Sequence, residues 1–221
     1  MKIDNFEQMD DFEKIDNFEQ IENLLTFNNE DEFYMLQLLK RKKENPDMKG
    51  DSQPIKTVYL HRKGQLLELK EDLVFLANHT NSRIYLNPNV KSFKKCTCLC
   101  LAEMAKRIAN DDFHKPYKVF DSVAGSAGAC RDTRWVLDVD WVDCLDSEYV
   151  YYIPEREKFV EKLRDAISNI QPIGDKLMAT IETKNGVHLI VKPFNPNEFA
   201  KLYPQVSIHK NNPTLVYAVR N

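Results

Sequence analysis

The 221-residue sequence predicts an α/β (α+β) fold, a mixed sheet flanked by helices, and three observations carry that reading. Between Ile55 and Ile108, short runs of strand-forming residues alternate with stretches of helical period, in the order β-α-β-α. From Arg134 to Lys192, an apolar strand, an amphipathic helix and a hairpin follow one another. A composition with 43% hydrophobic and 29% charged residues is that of a globular protein, and the chain is long enough to bury a sizeable core.

In chain order, residues 1–50 read as an acidic, partly helical N-terminal extension. Lys2-Ile-Asp-Asn-Phe-Glu-Gln8 recurs unchanged as Lys14-Ile-Asp-Asn-Phe-Glu-Gln20, and apolar residues fall every third position from Ile3 to Leu24. A spacing of three drifts around a helix of 3.6 residues per turn, which predicts a weakly docked stripe. Phe33, Leu36 and Leu39 with a basic end predict a short helix over 31–43, stopped at Asn45-Pro46. The domain proper is expected from Ile55 to Asn221, as a 55–115 module and a motif-bearing 116–221 module. Its first module holds a strand at 55–60, a helix at 65–78, a strand at 83–86 and a long helix at 92–108 capped by Ser92. The second holds the apolar strand within Arg134–Trp141, a helix over 155–170 with Phe159, Leu163 and Ile167 on one side, and a hairpin of 177–181 with 187–192. A short helix at 197–202 and strands at 206–208 and 214–219 complete it.

The net charge of −3 conceals an asymmetry. Residues 1–32 carry eleven Asp and Glu against Lys2 and Lys14, so the remainder carries 29 basic and 23 acidic groups. A mildly basic body suits nucleotides and nucleic acid as partners, and the acidic N-terminus suits a protein partner. No apolar run approaches the roughly 18 residues of a membrane span, and the start of the chain lacks the basic-then-apolar order of a signal peptide. The expectation is a cytoplasmic protein without a membrane partner. Five cysteines with no C-x-x-C pair fit reduced, buried thiols better than a disulfide scaffold or a zinc site.

Asp138 and Asp140 carry the chemistry. Side chains in a strand alternate faces, so these carboxylates share one side of an apolar strand and repel each other. A hard divalent cation, Mg²⁺ or Mn²⁺, would relieve that repulsion, because such ions take one or two carboxylates plus water and substrate phosphate. His188 begins an apolar strand one helix and one strand later, after a turn containing Lys184 and Gly186, which predicts that it faces the same cleft. Arg131, Arg134, Lys184, Lys192, His209 and Lys210 lie near these motifs in sequence and are candidates for a phosphate track.

Val136-Leu-Asp-Val-Asp140, a helix, then Thr183-Lys-Asn-Gly-Val-His-Leu-Ile190 resembles the catalytic core of the archaeo-eukaryotic primase superfamily, in particular the bifunctional primase-polymerase domains of phages and plasmids. The resemblance covers about residues 116–219 and implies a primase-polymerase-like core, with Asp138 and Asp140 as metal ligands and His188 touching nucleotide phosphates. It implies DNA replication as the setting and nucleotidyl transfer as the reaction. Lys184, Arg134 and His209 join the phosphate-binding set on charge alone. The family's third motif is an Asp on a later strand, whereas no Asp follows Asp175 here and Ser207 stands near its place. The implied function is therefore metal-dependent nucleotidyl transfer, or nucleotide and nucleic-acid binding by a degenerate derivative. Two alternatives remain. Ala124-Gly-Ser126 before Asp138-Val-Asp140, with Glu182 as third carboxylate, also resembles polymerase-β-type nucleotidyltransferases; and the acidic N-terminus fits a non-enzymatic interaction protein.

Overall fold

The computed structural model describes residues 14–219 and shows an α+β fold in which two antiparallel sheets are packed with helices. The first copy of the repeated heptapeptide, Lys2–Gln8, lies outside the described residues. The second copy forms β1 (Lys14–Asp16) and the start of α1 (Phe18–Leu24), with the buried Asn17 between them. The part of the spacing of three within the described residues, from Ile15 to Leu24, is thus not a drifting helical stripe. A strand supplies Ile15 and a helix supplies Phe18, Ile21 and Leu24, and all four are buried because the chain changes conformation at Asn17. Asn17 fixes that change: its backbone N–H donates to Val216 O at 2.9 Å, and its amide donates to the carbonyls of Leu215 and Glu182 at 3.0 and 2.9 Å.

The helix expected over 31–43 is instead β2 (Glu32–Arg41), paired with β3 (Ser52–Leu60). Phe33, Leu36 and Leu39 do have helical spacing, but Tyr34, Met35 and Leu38 fill the gaps between them. A nearly continuous apolar run suits a strand buried on both faces. Tyr34, Leu36 and Leu38 enter the main core, whereas Phe33 and Met35 pack on the other face against Cys96 and Val123. Strands β1 and β2 belong to the first sheet and α1 packs into its core, so the described residues 14–41 are part of the folded body. Several of their acidic groups are also committed within the fold. Glu22 accepts from Gly64 N at 2.7 Å, Glu32 accepts from Asn28 N at 2.6 Å and Asp16 pairs with Lys70 at 2.7 Å.

The first sheet runs β1-β10-β4-β2-β3, with β4 (Arg83–Leu86), β10 (Thr214–Val219) and a two-residue β5 (Lys91–Ser92) that pairs with β2. The helix at 65–78 is divided into α2 (Gln65–Glu68) and α3 (Lys70–His79), and α4 (Phe93–Ala109) starts as expected at Ser92, whose hydroxyl accepts from Lys95 N. Of the cysteines on α4, Cys96 is buried and Cys98 is exposed. After α5 (Val119–Gly125), the second sheet runs β7-β8-β6-β9, formed by Leu177–Glu182, Gly186–Val191, Trp135–Asp140 and Ser207–His209. Every strand pairing among the described residues is antiparallel, where a mixed sheet was expected.

One face of the second sheet is sealed and the other is shared. Trp135, Leu137 and Val139 pack with Leu163 and Ile167 of α7 (Ile153–Asn169) and Phe199 of α8 (Pro196–Leu202), which follow the short α6 (Trp141–Cys144). Val136, Ile181 and Ile190, on the opposite face, join the core built on the first sheet. Fully burying each such side chain contributes about 1.5–3 kcal/mol. That apolar contact holds the two sheets together and leaves the polar end of the same face open.

Candidate active site

Asp138 and Asp140 project from the open end of β6 and are half-buried, while their neighbours Leu137 and Val139 are fully buried on the other side. This is the alternation the sequence predicts. His188 reaches Asp138 by a route the chain order does not show. Strand β8 is the direct neighbour of β6, β7 lies outside it, and Asp138 stands opposite His188 in the antiparallel register. On the other flank, β9 places Ser207 opposite Asp138 and His209 opposite Val136. A single row across three strands therefore reads His188, Asp138, Ser207.

His188 is held from both ring nitrogens. Nδ1 is 2.9 Å from the Thr214 hydroxyl at the start of β10, and Nε2 is 3.4 Å from Asp138 Oδ1. The hydrogen bond and charge of His188 hold the Asp138 carboxyl below its ordinary range against the opposing effect of burial. Asp140 goes the other way: burial, then the negative charge of Asp138, pushes it up. The pair is thus one well-stabilised carboxylate beside one that is uncomfortable as an anion, the state a bound cation would relieve.

The turn after β7 closes the site. Thr183 N donates to Gly186 O at 3.0 Å, leaving Lys184 and Asn185 as the tip, and Trp141 N donates to Asn185 O at 3.0 Å, which ties the tip to the end of β6. Gly186 makes this approach possible. A Cβ at that position would overlap the Val139 carbonyl oxygen and stand only 2.8 Å from its carbon and 3.0 Å from Asp140 Cα.

A cleft of about 780 Å³ opens above His188, Asp138 and Asp140, its opposite wall coming from the first sheet. Arg41 at the end of β2, Lys43 and Glu44 beyond it, and Arg83 and Tyr85 on β4 form that wall. Glu44 is the hub of its charges: the Arg83 guanidinium donates to Glu44 Oε1, and Lys184 Nζ lies 3.7 Å from the same oxygen. Burial, then the neighbouring Arg83, pushes the Lys184 ammonium down. Arg41 stacks above the Tyr85 ring, 5.9 Å from its centroid. Sequence reasoning missed Arg41, Lys43 and Arg83: the strand that ends at Arg41 and leads into Lys43 was read as a helix in an extension, and Arg83 lies far from the aspartates in sequence. The only signal available was the basic run Lys40–Lys43.

The other expected phosphate ligands divide. Lys184 and His209 line the cleft. Arg134 does not: it lies at the far end of β6, 4% exposed, donating to Leu24 O at 3.1 Å and to Thr26 Oγ1 at 3.2 Å. It fastens α1 to the second sheet, which corrects its expected place in a phosphate track. Arg131 pairs with Glu32 at 3.3 Å, Lys210 sits 5.2 Å over the Trp135 ring, and Lys192 lines a separate hollow with Arg134. The constellation expected for a polymerase-β-type site is not assembled either. Ala124–Ser126 lies outside the cleft lining, and Glu182, opposite Val187, is on the face of β7 away from His188.

Among the described residues, no three His, Cys, Asp or Glu converge to hold a metal ion by themselves. Asp138 and Asp140 fit the other arrangement used by Mg²⁺ and Mn²⁺, in which one or two carboxylates anchor the ion and water and substrate phosphate complete the shell. Among the described residues no helix is long and apolar enough to cross a membrane. Compared with protein-family models, curated proteins and solved structures, the chain matches none.

Proposed function

We propose that the cleft binds a nucleoside triphosphate together with Mg²⁺ or Mn²⁺, and that the protein acts in nucleic-acid metabolism as a primase-polymerase-like nucleotidyltransferase or a binding derivative of one. The observation that carries this reading is the row His188, Asp138, Ser207 across β8, β6 and β9, with Asp140 beside it and a basic wall facing it. It brings together the positions that the resemblance singles out, with a serine where the third carboxylate would stand.

The divalent ion would supply neutralisation of phosphate charge and activation of the attacking hydroxyl. The chain's own groups account for the rest. Asp138 and Asp140 would hold the divalent ion at the phosphate end of the ligand. His188, oriented by Thr214, presents Nε2 to Asp138 and to a phosphate oxygen beside it. Lys184, Arg83 and Arg41 face the remaining phosphate charge, in a partly enclosed site where such contacts are stronger than in water. Ser207 is neutral and a weak ligand, so a second ion would lack an anchoring charge.

Calorimetric titration with Mn²⁺ and a deoxynucleoside triphosphate tests the proposal. Wild type is expected to bind the nucleotide only with the metal, and His188→Ala and Asp138→Asn to bind it at least tenfold more weakly. Absence of metal-dependent binding in folded wild-type protein would refute it. Primer extension then divides the two forms of the reading: products lost in Asp138→Asn show nucleotidyl transfer, and binding without products shows the derivative.

A further inference from the structure

Lys91, Cys130 and Asn211 form a second cluster of reactive and polar groups, outside the lining of the cleft. Backbone geometry sets it. Lys91 on β5 and Cys130 stand opposite each other in an isolated antiparallel bridge, and Arg131 N donates to Val90 O at 2.8 Å beside it. Side chains directly opposite in such a pair start about 4.5–5.5 Å apart at Cβ. The pairing brings Lys91 Nζ to 3.1 Å from Cys130 Sγ.

The nitrogen is buried in an unusual way. Lys91 is 0% exposed, and its ammonium donates to Cys130 Sγ, to Ser126 O at 3.2 Å and to Asn211 Oδ1 at 3.3 Å, all uncharged acceptors. Burying an ammonium is costly unless it is paired, so conversion of this nitrogen to a neutral, covalently bound form removes a buried charge. Cys130 is half-buried, in contrast to the fully buried Lys91. The other thiol in electrostatic range of both groups is Cys96, which is fully buried and pushed up to about 11, chiefly by that burial. It is a poor competitor.

We propose that Lys91 and Cys130 are a peroxide-sensitive modification site that closes to a covalent sulfenamide. Cys130 sulfur attacks a peroxide oxygen: an S–O bond forms, the O–O bond breaks, the thiol proton leaves and water is released, giving the sulfenic acid. Lys91, having passed one proton to water, attacks that sulfur. The S–N bond forms, the S–O bond breaks, and the departing hydroxide takes a proton to leave as a second water. The sulfur loses two electrons and one hydrogen peroxide gains them. The bond joins β5 to the segment leading into β6, and it withdraws a donor from Asn211, whose neighbours Asn212 and Pro213 line the cleft.

The test is mass spectrometry of the full chain after hydrogen peroxide, digested with a protease that does not cut at lysine. The expected product is a peptide pair joined through Lys91 and Cys130, lighter than its separate parts by two hydrogens and separated again by dithiothreitol. Lys91→Met is expected to lose the pair and to carry Cys130 forward to sulfinic acid. Recovery of Cys130 from oxidised wild type as free thiol, as sulfinic acid or as a disulfide with Cys96, with Lys91 unlinked, would overturn the proposal without bearing on the nucleotide site.

Discussion

Gly186→Ala is a single methyl placed at the seam of the candidate site. Gly186 is not among the glycines with positive φ, which are Gly64 and Gly174, so alanine there meets no conformational penalty of its own. The cost is steric and comes from backbone. The new Cβ would run into the Val139 carbonyl, part of the β6–β8 ladder that also holds Asp138 opposite His188. Overpacking costs about 1–3 kcal/mol, and a ladder carbonyl yields less readily than a side chain, which puts this case at the upper end. Loss of glycine's unfolded-state freedom returns about 0.4–1 kcal/mol. The net expectation is a loss of about 2 kcal/mol, or roughly 4–8 °C in Tm for a chain of this size. Gly125→Ala, with nothing within 4 Å of its Cβ, is the matched control; without the clash only the gain of about 0.4–1 kcal/mol is left, so it is expected to melt at or slightly above the wild type. Thermal denaturation followed by circular dichroism reads both. A Gly186→Ala protein with wild-type Tm would refute the argument that close approach of β8 to β6 requires glycine.

Other perturbations separate structure from function. Arg134→Met is expected to cost about 1–3 kcal/mol, because it strips the buried acceptor Leu24 O of its donor and removes the bond to Thr26 Oγ1, while nucleotide binding per folded molecule stays unchanged. Asp140→Asn is expected to raise Tm at neutral pH yet weaken Mn²⁺ binding, since the raised carboxyl makes ionised Asp140 a liability in the metal-free fold. The two aspartates also carry opposite pH signatures. Asp138, held low, contributes stability that is present above its unfolded value and lost as pH falls; Asp140, held high, contributes below its unfolded value and loses that contribution as pH rises through its folded one. Asp138→Asn should therefore lower Tm near neutrality, and Asp140→Asn raise it, with both differences shrinking in acid titrations followed by fluorescence. Ser207→Asp, opposite Asp138, is expected to tighten Mn²⁺ binding on the order of tenfold, a gain of about 1.4 kcal/mol, and to lower metal-free stability; unchanged Mn²⁺ affinity in calorimetry would count against an ion at this row.

The sequence by itself determined what is local. Alternation along Trp135–Asp140 put both aspartates on one face, the Ser92 cap and the following helical period marked α4, and the turn at Thr183–Gly186 delivered a hairpin. Periodicity and turn chemistry act within a few residues, so they are readable without the fold. Tertiary structure decided everything that depends on pairing between distant segments. It made β8 the neighbour of β6, set Asp138 between His188 and Ser207, and turned residues 32–41 into a strand whose continuous apolar character is satisfied only by cover on both faces. It also reversed the ranking that sequence distance gives two basic residues near and far from the aspartates. Arg134 went into the core to join α1 to the second sheet, whereas Arg83, 55 to 57 positions before the aspartates in sequence, came to face them across the cleft. Charge marks a residue as able to bind an anion, but burial against a specific partner decides which charge is free to do so.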